Sequence, residues 1–360
     1  MELFNLKTVV NNFAQDECEK DLKRAESYYE KNNEINNLYL NNNLEIIKNP
    51  GDYILAKNLG KKYLPGIRVR NYSSPDNFPL RLNIEITNEC NSKCKMCSRV
   101  KMNRKERHLS FNEFKNIIDQ TKGHNLVELY LYRLGEPFLN PGLPQMLEYL
   151  KSFNNFEYIW ISSNGLELTE KHMDMVLNSN IRMFNMSINA AYQESYSKIN
   201  DIGKLKTVED NFRKVIEHKK KSNNRLPFMR SQMLIQDATE EEGKFFIEKW
   251  QDYADIINLG IIEFGSTLDF NKEISNKYHT VNIEADCKKP ARYSFYLYTN
   301  GAVVPCMCDY NAEYLNIGNW RDDSLEKIFK GSKYQSFLSR HFNEKRHEIE
   351  FCKDCLDYTF

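Results

Sequence analysis

Three cysteines in one short stretch are the residues of this sequence best suited to chemistry: Cys90, Cys94 and Cys97, spaced as C-x3-C-x2-C. Three thiolates can hold a metal but leave one coordination position open. A structural zinc site needs a fourth ligand, and the nearest further Cys or His is His108, eleven residues beyond Cys97. A [4Fe–4S] cluster held by three cysteines leaves one iron free to bind another molecule directly. The spacing therefore favours an open iron–sulfur centre over a structural zinc site.

Five more cysteines lie in the last quarter of the chain. They are Cys287, Cys306, Cys308, Cys352 and Cys355, the last two spaced as C-x2-C. Within residues 295–305, an Asn-Gly pair flanked by apolar residues predicts a tight β-hairpin. A hairpin followed by C-x2-C also occurs in zinc ribbons, so the residues alone leave zinc and iron–sulfur open for this second group.

Composition indicates a globular protein in which the cysteines are not needed as staples. The chain has 360 residues, 50 basic and 50 acidic, and 41% are hydrophobic, which is enough to bury the core of two or three domains. Nine cysteines, an odd number gathered mainly in two groups, favour metal ligands or catalytic thiols in a reducing cytosol over disulfides. Cys18 stands alone in a polar segment and is expected to be an ordinary helix residue.

Charge and hydropathy narrow the classes of partner. A formal net charge of zero provides no field for a nucleic-acid backbone, so a small molecule or a protein surface is the expected partner. No stretch approaches the ~20 apolar residues of a membrane span, and the first residues lack the basic start and apolar run of a secretory signal. We therefore expect a cytoplasmic protein with no membrane contact.

Residues 82–262 alternate between strand and helix patterns. Predicted strands cover residues 82–87, 126–131, 158–162, 181–188, 228–235 and 256–262, and predicted helices cover 111–121, 143–153, 170–178, 208–220 and 240–253. Ser110, with Glu113 three residues later, predicts a capping box for the first helix. The alternation favours parallel β/α units in a barrel-like or doubly wound sheet, where ligands bind beyond the carboxyl ends of the strands.

The loops at those carboxyl ends carry the candidate site residues. Strand by strand, they are the cysteine stretch, then Gly135-Glu136-Pro137, then Ser162, Asn164 and Gly165, then Ser187. Further polar residues predicted near strand ends, and expected to line the site, are Arg133, Asn189, Gln232 and Glu263.

The cysteine spacing and these loop elements, in this order, resemble the radical S-adenosylmethionine (SAM) superfamily. The resemblance implies a partial (β/α)6 TIM-like barrel whose cysteines Cys90, Cys94 and Cys97 hold a SAM-binding [4Fe–4S] cluster. It also implies that an electron from a flavodoxin-like or ferredoxin-like donor cleaves SAM, and that the resulting 5′-deoxyadenosyl radical takes a hydrogen atom from substrate.

The same resemblance assigns cofactor contacts to the other loops. Gly135 and Glu136 match the element that receives the α-ammonium group of SAM. Ser162 and Asn164 match the third-strand element that contacts the cofactor, and Ser187 matches the residue near its carboxylate or ribose.

Two positions depart from the family pattern. Met96 stands before the third cysteine, where relatives usually have an aromatic residue. Asn200 stands where relatives usually have an arginine that pairs with the SAM carboxylate. Lys198, Lys204 and Arg230 are the alternative candidates for that pairing, and the sequence does not choose among them.

The C-terminal cysteines resemble the auxiliary-cluster extension called SPASM, in its short form, Twitch, because no further cysteine follows Cys355. The resemblance implies a small α+β domain with a second [4Fe–4S] cluster. Its ligands would be Cys287, Cys306, Cys352 and Cys355. Cys308 is left over: it could replace Cys306 as a ligand, be inert, or return a hydrogen atom to a substrate radical.

The expected organisation is a mostly helical extension of unknown role at 1–80, the barrel at 81–283 and the auxiliary-cluster domain at 284–360. The expected reaction is oxidation of an alcohol of a small sugar or aminocyclitol-like compound, with the second electron passing to the auxiliary cluster. Epimerisation, peptide modification, or a non-catalytic iron–sulfur or zinc scaffold are the alternatives.

The basic run at 101–107 predicts either a solvated face or a grip on a phosphorylated substrate.

Overall fold

The computed structural model describes residues 44–49, 52–57, 78–224, 226–261, 287, 290, 293–353 and 355, the first two ranges by their backbone alone. One eleven-stranded sheet runs through this part of the chain. Its strands are β1 (Leu44–Asn49), β2 (Asp52–Lys57), β3 (Arg81–Ile84), β4 (Leu126–Tyr130), β5 (Phe156–Ser163), β6 (Met183–Ser187), β7 (Phe228–Ile235), β8 (Ile256–Ile261), β9 (Ser294–Leu297), β10 (Ala302–Val304) and β11 (Gly318–Asn319).

The central six strands, β3 to β8, are parallel and lie in the sheet in chain order. All six were predicted from the alternation of strand and helix patterns, and the structure confirms them. The outer strands of this row pair with β9 and β2 rather than with each other, so the barrel is open. The architecture is the expected partial (β/α)6 barrel.

Helices connect the strands. They are α1 (Phe111–Asp119), α2 (Leu143–Leu150), α3 (Glu170–Leu177), α4 (Gln193–Ile199), α5 (Leu205–Lys221), α6 (Gly243–Trp250), α7 (Leu325–Lys330), α8 (Ser332–Phe342) and α9 (Glu350–Lys353). The predicted capping box is present at the start of α1, where Ser110 and Glu113 bond reciprocally. Among the described residues, none of the helices is both long and apolar enough to cross a membrane.

The described part of residues 1–80 contains a β-hairpin. β1 and β2 pair antiparallel, and β2 continues the sheet along the edge of β8. The sequence predicts a mostly helical extension here, and the helix expected around Cys18 lies outside the described residues. The signal for the hairpin is a Pro-Gly pair between two runs rich in β-branched and aromatic residues.

The C-terminal segment extends the same sheet at its other edge. β9 pairs parallel with β3, and β10 and β11 follow antiparallel. The turn between β9 and β10 contains Asn300-Gly301, as predicted, and Gly301 has φ +100. A Cβ there would lie 2.4 Å from Oδ1 of Asn319, so only glycine fits. The two cysteine-bearing parts of the chain therefore share one sheet.

The two faces of the sheet differ in chemistry. Alternate strand residues such as Leu82, Ile161 and Phe184 pack with the helices in the main core. On the opposite, inner face, a smaller apolar cluster fills the amino ends of β5 to β8; it consists of Tyr158, Trp160, Met183, Phe228 and Ile256. Towards the carboxyl ends, the inner face becomes polar, and that is the end where the predicted site residues lie.

Candidate functional site

Cys90, Cys94 and Cys97 lie, half-buried, on the loop after β3. Burial raises the pKa of Cys90 to about 12, with the Glu136 carboxylate adding to the effect. Burial also raises the pKa of Cys94 to about 11, and the charge of Cys97 contributes. As free groups, the Cys90 and Cys94 thiols are therefore neutral at pH 7. A bound cation would favour their thiolate form, which suits metal ligands.

The cysteine loop is held by three neighbouring elements. The N–H of Glu136 donates to the carbonyl of Glu89 over 2.8 Å. The amide of Asn164 donates to Asn91 over 2.7 Å and approaches the Cys90 sulfur at 3.7 Å. The backbone of residue 200 forms an antiparallel bridge with that of residue 94. The loops after β4, β5 and α4 therefore fix the shape of the cysteine loop.

Gly135 and Glu136 lie directly against this loop. A Cβ on Gly135 would lie 2.3 Å from the carbonyl oxygen of Thr87, which leaves no room for any side chain. Glu136 is 3% exposed, and its carboxylate accepts hydrogen bonds from the Ser163 hydroxyl at 2.9 Å and the Asn164 N–H at 2.7 Å. Burial raises its pKa to about 7, although these hydrogen bonds oppose the shift. A carboxyl group that titrates near neutrality thus lies beside the cysteine loop.

Ser162 and Ser187 meet on the inner face, where β5 and β6 end. Their hydroxyl oxygens are 3.3 Å apart, and the amide of Asn185 donates to Ser162 over 2.9 Å. The same amide group donates to Gln232 over 2.7 Å. The sequence predicts site roles for Ser162, Ser187 and Gln232 but not for Asn185. Its signal was the period of two along β6, in which Met183, Asn185 and Ser187 share one face.

The two departures from the family pattern have structural explanations. Met96 is partly buried and packs against the main core. Asn200 is 3% exposed, and its side-chain oxygen accepts the N–H of Lys93 at 3.3 Å, so it supports the cysteine loop instead of facing it with a charge. Lys198 pairs with the exposed Glu194 on α4. Arg230 lies on the inner face, on β7.

The basic run after the cysteine loop joins the two parts of the chain. Arg104 is buried and forms a two-pronged ion pair with Glu85, at 2.6 and 2.7 Å, while its Nε donates to the carbonyl of Tyr310 at 2.8 Å. Arg107 pairs with Glu113 and donates to the carbonyl of Thr299. These two arginines link the barrel to the C-terminal segment. This structural role differs from both predictions for the run, a solvated face and a grip on a phosphorylated substrate.

The C-terminal cysteines lie around a second loop. Cys308, Cys352 and Cys355 are buried, and Cys306 is half-buried and packs against the main core. Burial raises the pKa of Cys352 to about 12, and the charges of Cys287 and Cys308 add to the shift. Cys287 and Cys308 therefore both lie near Cys352.

Arg346, which sequence analysis missed, is buried beside the C-x2-C turn. Its guanidinium donates to the carbonyls of Cys352 at 3.1 Å and Cys355 at 3.3 Å. Asp309 accepts the backbone N–H groups of residues 313–315 and so shapes the chain after Cys308. A buried arginine that fixes a cysteine turn supplies positive charge where thiolates would gather.

Arg133 connects the second cysteine loop to the barrel. It follows β4, and its guanidinium donates to the carbonyl of Met307, the residue between Cys306 and Cys308. Both cysteine groups therefore lie at the carboxyl end of the sheet. Asn189, in contrast, has φ +63 and accepts the N–H of Leu234, a turn-forming role, while Glu263 lies outside the described residues.

The donor set fits iron–sulfur chemistry. Within the described ranges, no three His, Cys, Asp or Glu side chains are arranged to hold a single metal ion. What fits a cluster is the presence of several thiols on each loop, supported by Asn164 on one loop and Arg346 on the other.

Two family models match this chain. The Radical SAM superfamily model covers residues 84–234, and the SPASM iron-sulfur cluster-binding domain covers residues 287–356. The chain therefore carries a radical SAM domain followed by a SPASM iron–sulfur domain. These two domains imply SAM, the [4Fe–4S] cluster that binds SAM, and an auxiliary cluster as cofactors.

Curated relatives match over part of their length. A probable GTP 3′,8-cyclase of Methanococcus maripaludis is 28% identical over 137 residues, which is 37% of this chain and 44% of the relative. A GTP 3′,8-cyclase of Hydrogenovibrio crunogenus is 26% identical over 131 residues, 35% and 39% of the two chains. This chain thus spans less than half the length of these relatives.

Solved structures resemble the fold over most of the chain. BtrN in complex with AdoMet and 2-DOIA has a TM-score of 0.50 at 16% identity, covering 79% of this chain and 99% of BtrN. Streptococcus suis SuiB bound to S-adenosylmethionine has a TM-score of 0.55 at 14% identity, covering 78% and 72%. Native anSMEcpe with bound AdoMet has a TM-score of 0.55 at 16% identity, covering 77% and 89%.

Proposed function

We propose that this radical SAM enzyme oxidises an alcohol of a small polar substrate, a sugar or aminocyclitol-like compound, to a ketone. When bound, the first cluster and SAM would supply the radical chemistry that removes the hydrogen atom from the carbinol carbon. Completing the ketone would require a base to take the hydroxyl proton and the auxiliary cluster, held by the C-terminal cysteines, to take the second electron. A flavodoxin-like or ferredoxin-like protein supplies the electron that starts the reaction.

The residues divide between the two clusters and the cofactor. The proposed ligands of the first cluster are Cys90, Cys94 and Cys97, and those of the second are Cys287, Cys306, Cys352 and Cys355. For the cofactor, Gly135 and Glu136 receive the ammonium group, and Ser162, Asn164 and Ser187 contact the rest of the molecule. Glu136, buried against the cysteine loop, fits an ammonium partner because a cation would favour its ionised form.

The observation that carries the proposal is the link from Arg133 to Met307. It holds the second cysteine loop over the carboxyl end of β4, next to the loop of the first cluster. A substrate on the inner face would then lie between the two cysteine groups, where its second electron has a nearby acceptor. Asn185 and Gln232, whose side chains are hydrogen-bonded to each other on the inner face, suit a polyhydroxylated substrate.

Two other reactions compete with alcohol oxidation. Return of a hydrogen atom by Cys308 would give epimerisation, but the burial of Cys308 near Cys352 fits a cluster ligand or an inert thiol better. Peptide modification is the second, since two structural relatives have been solved with peptides, SuiB with its precursor peptide SuiA and anSMEcpe with the Kp18Cys peptide. BtrN, in contrast, has been solved with 2-DOIA, a small molecule.

Anaerobic reconstitution tests the proposal. With reduced flavodoxin and SAM, the protein should form 5′-deoxyadenosine, and a substrate deuterated at the carbinol carbon should transfer deuterium into it. Intact clusters without 5′-deoxyadenosine would support a non-catalytic scaffold instead. Replacing Cys90, Cys94 and Cys97 by Ala should remove about four irons and leave about four. Stoichiometric zinc in the wild type would reject the second iron–sulfur cluster.

A further inference from the structure

Two arginines, one on the inner face of the sheet and one on the loop after β4, form no ion pair with any described residue. Arg230, on β7, donates from Nη2 to the amide oxygen of Asn258, and Arg133 donates from Nη2 to the carbonyl of Met307. In the described part of the chain neither guanidinium forms an ion pair, and the buried Nε of each has no hydrogen-bond partner. Burying a guanidinium N–H without an acceptor costs free energy. Each Nε–H is therefore positioned to donate to an acceptor atom of a bound molecule.

Tyr132 lies near both arginines. Burial raises its pKa to about 12; the charges of Arg230 and, more weakly, Arg133 oppose that shift, and the charge of Glu128, which pairs with Arg81, adds to it. The Arg230 guanidinium also lies 5.8 Å from the centre of the Trp160 ring. Positive charge thus faces an aromatic wall on the inner face, and charge-assisted bonds formed there are shielded from water.

Further unpartnered amide atoms surround this place. Nδ2 of Asn258 and Oδ1 of Asn185 are buried without hydrogen-bond partners, and both residues lie on strands next to Arg230. Arg230 pairs in register with Asn185, and Ser187 pairs with Gln232 one step nearer the carboxyl end. Arg230 therefore lies level with Asn185, which is two residues further from the carboxyl end of the sheet than Ser187, the residue assigned to the cofactor.

We propose that the inner face binds an anionic group of the substrate, a carboxylate or a phosphate, between Arg230 and Arg133, with Asn185 and Asn258 bonding to adjacent hydroxyls. A planar guanidinium binds either group through two parallel hydrogen bonds. The inference rests on the proposed function and narrows its substrate class to acidic sugars or acidic cyclitols.

Calorimetric titration of the reconstituted, SAM-loaded enzyme tests the inference, with D-glucose 6-phosphate, D-glucuronate and D-glucose as probes. One of the two anionic probes should bind at least tenfold more tightly than glucose, and which one it is distinguishes phosphate from carboxylate recognition. Arg230→Gln should weaken that probe tenfold or more, Arg230→Lys should weaken it less, and neither should change the affinity for SAM.

Arg213→Gln is the matched control. Arg213 lies on α5, on the helix side of the sheet, and its guanidinium is 5.0 Å from the centre of the Trp250 ring. It should leave probe binding unchanged. Equal binding of glucose and the anions by the wild type, unchanged binding by Arg230→Gln, or a selective loss of SAM affinity in that variant would overturn the inference. The order of the three probe affinities in the wild type tests the inference even if a variant misfolds. If the wild type bound the anionic probe but formed no ketone, the proposed function would be rejected and the anion site would stand.

Discussion

Arg104 and Glu85 form an ion pair that is almost fully buried, with 3% and 0% of their side chains exposed. The Arg104 guanidinium also stacks 4.1 Å above the ring of Tyr298. Glu85 follows β3, and Tyr298 follows β9, so the pair joins the start of the barrel to the C-terminal cysteine domain. Such a pair, once broken, leaves one charge buried without compensation.

Arg104→Leu should therefore lower the free energy of unfolding by about 3–5 kcal/mol, because Glu85 stays buried and keeps only the hydrogen bonds from Thr299 to stabilise its charge. Urea denaturation of the apoprotein measures this. The control is Arg340→Leu on α8, whose partner Glu348 is 43% exposed; its cost should be under about 1 kcal/mol. Equal losses in the two variants would contradict a special role for the buried pair.

Gly135→Ala should weaken SAM binding. The new Cβ would lie 2.3 Å from the carbonyl oxygen of Thr87 and 2.7 Å from that of Glu89, so the turn carrying Glu136 must move away from the cysteine loop. Equilibrium dialysis with labelled SAM should show a loss of at least about tenfold, which corresponds to about 1.4 kcal/mol. Gly142→Ala is the control: its nearest neighbour would be the Asn140 side chain at 3.2 Å, and binding should be retained.

Binding of SAM should weaken as the pH falls below 7. Burial raises the pKa of Glu136 to about 7, so its carboxylate, the form that attracts an ammonium group, is lost below that pH. If only this form binds, the apparent Kd for SAM rises about tenfold per pH unit on the acid side. Titrations from pH 5.5 to 7.5 should show this slope in the wild type and none in Glu136→Gln. If the apparent Kd of the wild type did not change with pH, Glu136 would not be the group that binds the ammonium.

Much of this site could be predicted from local sequence because its parts are local patterns. The strands β3 to β8 follow from apolar runs between helical segments, and parallel strands bring their loops to one end. That rule alone places the cysteine loop near Gly135 and Asn164. The Asn300-Gly301 turn is similarly a matter of two adjacent residues.

The remaining features depend on contacts between distant segments. Arg104 in a basic run looks solvated until Glu85 and the carbonyl of residue 310 enclose it. Asn185 gains its role only because β5 and β7 flank β6 with Ser162 and Gln232. Asn200 is an apparent defect in the family pattern, and only the fold shows that it bonds to Lys93. Such pairings are set by tertiary packing, which no local pattern encodes.

Replacing single C-terminal cysteines should identify the auxiliary ligands. We expect Cys306→Ala to lose about four irons per chain and Cys308→Ala to keep them, because Cys306 completes the proposed ligand set. Iron and sulfide analysis after anaerobic reconstitution measures this. The reverse result would make Cys308 the ligand, in keeping with its burial and its charge coupling to Cys352.

Asn200→Arg should weaken the first cluster rather than tighten SAM binding, although relatives usually have arginine there. The Asn200 side-chain oxygen accepts the N–H groups of Lys93 and Ile202, and its amide donates to the Tyr196 hydroxyl at 3.1 Å. At 3% exposure there is no room for a longer, charged side chain, so the cysteine loop must shift.

The measurement is iron per chain together with SAM affinity, with Lys198→Gln as the control because Lys198 pairs only with exposed Glu194 among the described residues. The control should match the wild type in both. If Asn200→Arg kept its iron and bound SAM more tightly, the cofactor carboxylate would lie within reach of this position, and the role of Asn200 as a support for the loop would be wrong. Arginine cannot accept the hydrogen bond of the Lys93 N–H. To keep the cysteine loop and its iron in place, the variant would need another acceptor there, and the buried position of Asn200 does not offer one.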